Sequence, residues 1–205
     1  MKVTTPLTKT ELIQRFQLHQ TVDYHVESTR RYDKIPRDSL RKASVLIGFV
    51  QREHGLNIVL TKRAEHLKHH PGQISFPGGK YEEGDQTLYR TAIREAEEEI
   101  GITASEIETF GQLPEIVTIS KFSVTPIMAF INPDYQATID PNEVEEVFEV
   151  PADHLLDKNK LYSGIFQVKS QPHRIFAIPY QRHFIWGMTA QIIQALQRHI
   201  NIHHK

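Results

Sequence analysis

Residues 76–102, FPGGKYEEGDQTLYRTAIREAEEEIGI, set two glycines, a run of acids and an REAEEEIG segment within one short span. At 3.6 residues per turn, Glu95, Glu98 and Glu99 fall within about a third of a helix circumference, so three carboxylates share one patch. Crowded like charges cost stability unless something neutralises them, and hard divalent cations such as Mg²⁺ or Mn²⁺ prefer oxygen ligands of this kind. Arg94 lies one turn before Glu98 and can brace it, whereas Glu97 points to the far side. An acidic helix face alone is commonly just solvated. Here Gly78 and Gly79 lead into it, and backbone without side chains can turn tightly and approach a ligand closely. The chemistry that suits the set is hydrolysis of a pyrophosphate bond, which needs charge neutralisation on the phosphoryl oxygens and an activated water.

Several elements must position these groups. The acidic helix has an apolar stripe of Tyr89, Ile93, Ala96 and Ile100 to pack on a sheet, Thr87 or Asp85 as its cap, and Gly101 as its left-handed stop. The β-branched runs 44–50 and 57–63 read as strands joined by a turn at Glu53 to Gly55, and residues 124–131, 146–150 and 174–180 supply further strands. Pro151 is suited to open a short helix through Leu156. Residues 7–20 repeat at helical spacing, residues 28–42 read as a basic linker broken by Pro36, and a long amphipathic helix is expected from about Phe184 to His199. Trp186 and Gly187 could lie near a substrate, but a lone Trp on an apolar helix is more often core, which leaves both outside the expected site. The layering is α/β, with an N-terminal extension over 1–42 and one principal domain over 43–200.

The 76–102 segment resembles the Nudix box of nucleoside-diphosphate-linked-moiety hydrolases: Gly79, five residues, the acid Asp85, then RE, a small residue, EE, Gly101 and Ile102. An aspartate stands where a glutamate is usual, and eight residues rather than seven separate it from Arg94. The upstream block LTKRAEHLKHHPGQISFPGG, residues 60–79, is similar to the additional motif of the coenzyme A pyrophosphatase branch, which commonly carries the same aspartate and longer gap. VTPIMAFI (124–131), EVEEVFEVPADHLLD (143–157) and FIWGMTAQIIQAL (184–196) resemble that branch too, so the likeness spans about residues 43–197. It implies the Nudix fold, a mixed β-sheet sandwiched between α-helices, and a Mg²⁺- or Mn²⁺-dependent hydrolase. The products it implies from coenzyme A are 4′-phosphopantetheine and adenosine 3′,5′-bisphosphate. Glu95, Glu98 and Glu99 are the expected metal ligands, with Arg94 holding them in register. The resemblance adds the Gly79 carbonyl as a further ligand. The general base stays open among these glutamates, a metal-activated water, and Glu143 or Glu146 outside the box. Lys62 and Arg63, with His69 and His70, offer a cationic patch for the diphosphate or the 3′-phosphate, and Gly78 and Gly79 a close backbone approach. Gln73 and Ser75 read as parts of the upstream motif. ADP-ribose, NADH or a dinucleoside polyphosphate as substrate, or a catalytically silent nucleotide sensor, are the competing readings.

Composition narrows the rest. The chain has 205 residues, 39% of them hydrophobic, enough for a real core. Lys plus Arg total 24 against 25 Asp plus Glu, so no global field draws nucleic acid, and a small-molecule substrate is expected. There is no cysteine for a disulfide or thiol nucleophile, and no apolar run of membrane-spanning length or signal-peptide type, so the cytoplasm is the default compartment. The 12 histidines include HLKHH (66–70) and NIHHK (201–205), neither of which forms a structural zinc set. A homodimer is compatible with the sequence, and the N-terminal helix with its basic linker could serve as a docking element.

Overall fold

The computed structural model describes residues 6–20, 22–32, 35–168 and 171–200. Its strands are β1 (Arg41–Arg52), β2 (Gly55–Arg63), β3 (Ile74–Ser75), β4 (Gly78–Lys80), β5 (Ile107–Gln112), β6 (Ile116–Val117), β7 (Phe122–Ile131), β8 (Val144–Pro151), β9 (Tyr162–Val168), β10 (Gln171–Tyr180) and β11 (His183–Trp186). The helices are α1 (Lys9–Leu18), α2 (Val26–Thr29), α3 (Leu88–Ile100), α4 (Ala152–Leu156) and α5 (Met188–Ile200). Strands β1 to β8 form a mixed sheet in which β1 and β7 run parallel and the other pairs antiparallel, and β11-β10-β9 form a small second sheet.

Alternation along β1 explains the layers. Leu46 and Val50 point to one face and pack with Ala92, Ala96 and Ile100 of α3. Val45, Ile47 and Phe49 point to the other and pack with α1, α5 and the small sheet. The result is a sheet between helices, the α/β architecture expected from the sequence.

The register creates the feature that positions the site. Strand β1 pairs with β2 only over Phe49–Arg52, while its first half keeps β7 on one side and β4 on the other. Strand β2 has β8 along one side, and at Thr61 and Lys62 it takes β3 on the other. The two strands therefore fork, and the segment 74–80 fills the fork, bonded to β2 through β3 and to β1 through β4.

Several boundaries differ from the sequence expectation. Phe184–Trp186 is strand, not helix: Gly187 adopts φ 68°, which breaks the chain direction before α5 begins at Met188. Strands β5 and β9, and the short β3, β4 and β6, were not expected. The stretch 28–42 contains the end of α2, two 3₁₀ turns and the start of β1. Helix α1 is built into the main core. Leu12 is fully buried, and Phe16 packs edge-on against Phe110 of β5 with ring centroids 5.6 Å apart. No helix among the described residues is long and apolar enough to cross a membrane.

Candidate active site

Helix α3 carries the acids on a well-capped frame. The Thr87 hydroxyl accepts from the Arg90 N–H at 3.2 Å, and Gly101 closes the helix with φ 73° while its N–H returns to Ala96 and Glu97. The buried stripe runs through Ala92, Ala96 and Ile100, with Ile93 only half-buried, so the helix is rotated slightly from the expected orientation. That rotation separates the three glutamates by environment. Glu99 is 3% exposed, Glu95 is largely covered, and the Glu98 side chain is 59% exposed.

Arg94 organises the patch. Its Nε donates to Asp85 Oδ1 at 2.8 Å and its Nη2 to Asp85 Oδ2 at 3.1 Å, a bidentate pairing. The same guanidinium reaches Glu98 Oε2 at 2.7 Å, Glu95 Oε1 at 3.1 Å and the Lys80 carbonyl at 2.9 Å. Asp85 is buried and also accepts from the Glu82 N–H and the Thr91 hydroxyl, each at 2.9 Å. Arg94 above all, and then these donors, hold its carboxyl down at about 2. The aspartate of the box is thus the anchor of the arginine that braces the glutamates. It sits on a 3₁₀ turn, Glu83–Asp85, and the eight-residue gap to Arg94 closes with Gln86 at φ 62° before α3 begins.

Burial pushes the Glu99 carboxyl up to about 8, and the nearby charges of Glu95 and Glu143 push the same way, against Arg63 and the Gly78 N–H. Burial also raises Glu95, opposed chiefly by Arg94. Arg94 and Arg63 compensate these two buried acids only in part, since both carboxyls stay raised, and a hard divalent cation with oxygen ligands would complete the neutralisation, so the donor set fits Mg²⁺ or Mn²⁺. Among the described residues no three His, Cys, Asp or Glu side chains already converge as a metal cage. Arg94 takes up Glu98 instead.

The glycines are there for space. A Cβ on Gly79 would stand 2.5 Å from all three atoms of the Glu95 carboxylate, and one on Gly78 would lie 2.4 Å from the Ser44 carbonyl oxygen and 2.6 Å from Val45 Cα. Gly78 also donates its N–H to Glu99 Oε2 at 3.3 Å. The strand that fills the fork thereby brings its backbone onto both buried glutamates.

Next to Gly78 lies a cavity of about 440 Å³ between the main sheet and the small sheet with the start of α5. Arg63 and His70 line it, whereas Lys62 is held in ion pairs with Glu145 at 2.9 Å and Glu65 at 3.1 Å. Side chains alternate along a strand, so Lys62 and Arg63 diverge. His69 is exposed and outside the lining. Gln73 and Ser75 line the cavity, and so does Trp186, which is 43% exposed and not a core residue. Its place in an apolar run of helical spacing favours the core in sequence, and the strand Phe184–Trp186 puts it on the wall instead. Of the two outlying acids, Glu143 acts on the charges of Glu95 and Glu99, while Glu146 is bound to Arg182 at 2.6 Å and His183 at 3.2 Å. Residues 201–205, with two of the histidines considered for zinc, lie outside the described residues.

Helix-borne glutamates beside a glycine-filled fork in a mixed sheet agree with the comparison to protein families, in which the NUDIX domain matches residues 40–168. The chain belongs to the Nudix family and is a hydrolase of a pyrophosphate-containing substrate. It is 37% identical over 201 residues to "Uncharacterized Nudix hydrolase NudL" of Enterobacter sp. (strain 638), covering 97% of this chain and 98% of the relative. The protein of the same description from Escherichia coli O7:K1 is 34% identical, covering 96% of each. Among solved structures, the Nudix hydrolase RenU from M. smegmatis superposes with a TM-score of 0.54 at 19% identity, covering 77% of this chain and 84% of that one. A Nudix hydrolase from Alicyclobacillus acidocaldarius gives 0.51 at 16% identity, covering 77% and 90%. Both likenesses concern the fold.

Proposed function

We propose that this Nudix hydrolase cleaves the diphosphate of coenzyme A to 4′-phosphopantetheine and adenosine 3′,5′-bisphosphate. The observation that carries the reading is the placement of the 60–79 block. Arg63, His70, Gln73, Ser75, Phe76 and Gly78 line one side of the cavity, and Gly78 donates its N–H to Glu99 of α3. The sequence block that resembles the coenzyme A branch is therefore also the block in position to meet a substrate.

In this reading Glu95, Glu98, Glu99 and the Gly79 carbonyl hold Mg²⁺ or Mn²⁺, which supplies charge neutralisation at the phosphoryl oxygens and a more acidic attacking water. Arg94, anchored by Asp85, keeps the carboxylates in register. Arg63 lies between Glu99 and the cavity and offers a cation to the diphosphate. Glu143, exposed and within the field of Glu95 and Glu99, takes the proton of the attacking water. The catalytic domain is assigned to 43–200 and the compartment to the cytoplasm.

A competition assay tests the substrate. With equal concentrations of coenzyme A, ADP-ribose, NADH and a diadenosine polyphosphate in one vessel, coenzyme A should disappear fastest. Preference for another member would keep the Nudix chemistry and refute the coenzyme A assignment, and consumption of none would favour a nucleotide sensor.

A further inference from the structure

Part of the cavity wall comes from the chain before residue 43. Tyr32, in the 3₁₀ turn Arg30–Tyr32 that follows α2, lines the cavity, and its ring stands edge-on to that of His173, also in the lining, with centroids 6.4 Å apart. Two further parts of the lining belong to different sheets. Residues 116–120, in β6 and the turn after it, adjoin the main sheet, and residues 173–176, in β10, belong to the small one.

The N-terminal stretch is fastened to both. Toward the main sheet, the buried Tyr24 hydroxyl donates to the carbonyl of Pro114, two residues before Ile116, at 2.9 Å. Toward the small sheet, the hydroxyl of Ser28, which is 1% exposed, donates to the Arg174 carbonyl at 3.0 Å, and His25 packs edge-on against Phe176 with centroids 5.8 Å apart. Glu27 then accepts from Arg174 Nε at 2.7 Å, and the Ser163 hydroxyl from its Nη1 at 2.9 Å. An ion pair with its side chains 25% and 43% exposed adds little to folding. What it does fix is direction: a guanidinium held at two nitrogens has its rotamer settled before a ligand arrives, and Arg174 Nη2 donates to no acceptor among the described residues.

We propose that the N-terminal stretch is a working part of the substrate site: Tyr32 and Arg174 contact the substrate in the cavity, Arg174 by donating from Nη2 to one of its oxygens, and Glu27 is the positioning residue that holds Arg174 for that contact. This rests on the reading given above, in which the cavity beside Gly78 receives the substrate. The glutamates of α3 and Arg94 lie outside this arrangement, so its loss weakens binding and leaves the chemical step in place.

Steady-state kinetics and thermal melting of full-length Tyr32→Ala, Tyr32→Phe, Glu27→Ala, Arg174→Ala and the Glu27→Ala/Arg174→Ala double variant test the assignment. Tyr32→Ala, Glu27→Ala and Arg174→Ala should each raise KM about fivefold or more with kcat within about twofold of the wild type. Tyr32→Phe, which keeps the ring, should restore KM to within about twofold. Glu27→Ala should melt within about 2 °C of the wild type and add nothing to KM in the Arg174→Ala background, because it acts through that arginine. Lowered melting temperatures with KM unchanged would overturn the proposal and leave the stretch a structural brace, and additive effects of Glu27 and Arg174 would overturn the positioning role. The kinetics use whichever of the four candidate substrates the wild type cleaves fastest, so preference for another over coenzyme A refutes the coenzyme A assignment while the same variants still decide this one.

Discussion

Adjacent glycines in the fork should respond to the same substitution in opposite ways. In Gly79→Ala the new methyl would sit 2.5 Å from the Glu95 carboxylate, where ordinary contact begins at 3.4 Å. That carboxylate is the free end of a flexible side chain, so it yields by about 1 Å and the fold survives. A shift of about 1 Å in a catalytic group costs on the order of 10²-fold in rate. In Gly78→Ala the methyl meets backbone, 2.4 Å from the Ser44 oxygen and 2.6 Å from Val45 Cα, in a strand pinned between β4 and β7. Nothing there can give way cheaply, and the expected loss is about 3 kcal/mol or more of stability. Urea unfolding together with initial rates at saturating Mg²⁺ distinguishes the two: Gly79→Ala folds normally and turns over about a hundredfold more slowly, while Gly78→Ala is destabilised first. A Gly79→Ala enzyme within about twofold of the wild-type rate would refute the assignment of Glu95 to the reacting centre.

Other substitutions probe the frame. Asp85 is buried with its carboxyl at about 2 instead of 3.8, a difference equivalent to about 2 kcal/mol. Its folded-state value is depressed, so this stability is present above the unfolded value and is lost as pH falls through about 2. Asp85→Asn should lower the urea midpoint near neutral pH and show a flatter acid limb between about pH 4 and 2; superimposable pH profiles would contradict the anchoring role. Glu98→Gln, at a side chain 59% exposed, should leave the melting temperature within about 2 °C yet remove most turnover, and a near wild-type rate at saturating metal would exclude Glu98 as a ligand. Phe16→Ala should cost about 3–4 kcal/mol, because the ring is 8% exposed against Phe110; a loss below about 1 kcal/mol would show that α1 is an appendage.

What the sequence disclosed followed local rules. The 3.6-residue spacing placed Glu95, Glu98 and Glu99 on one side of a helix, Thr87 and Gly101 marked its ends, and Arg94 one turn before Glu98 made their pairing foreseeable. Consequences of tertiary contact were hidden. That Glu99 is buried while Glu98 is exposed depends on which way α3 rolls on the sheet, and helical periodicity leaves that to within a residue. The anchoring of Arg94 by Asp85 required a 3₁₀ turn that no spacing rule announced. The run FIW could have been strand or helix by periodicity, and the positive φ of Gly187 decides it, which moves Trp186 from the expected core to the cavity wall. Lys62 and Arg63 looked equivalent as a basic pair, but strand alternation sends one to a rim ion pair and the other to the cavity.

Mass-spectrometric identification of the products formed from coenzyme A by the purified protein, with Mg²⁺, with Mn²⁺ and with chelator, tests the central claim most directly. Stoichiometric release of 4′-phosphopantetheine and adenosine 3′,5′-bisphosphate, abolished by chelator, is the expected result. Intact coenzyme A under both metals, or cleavage that persists in chelator, would contradict it.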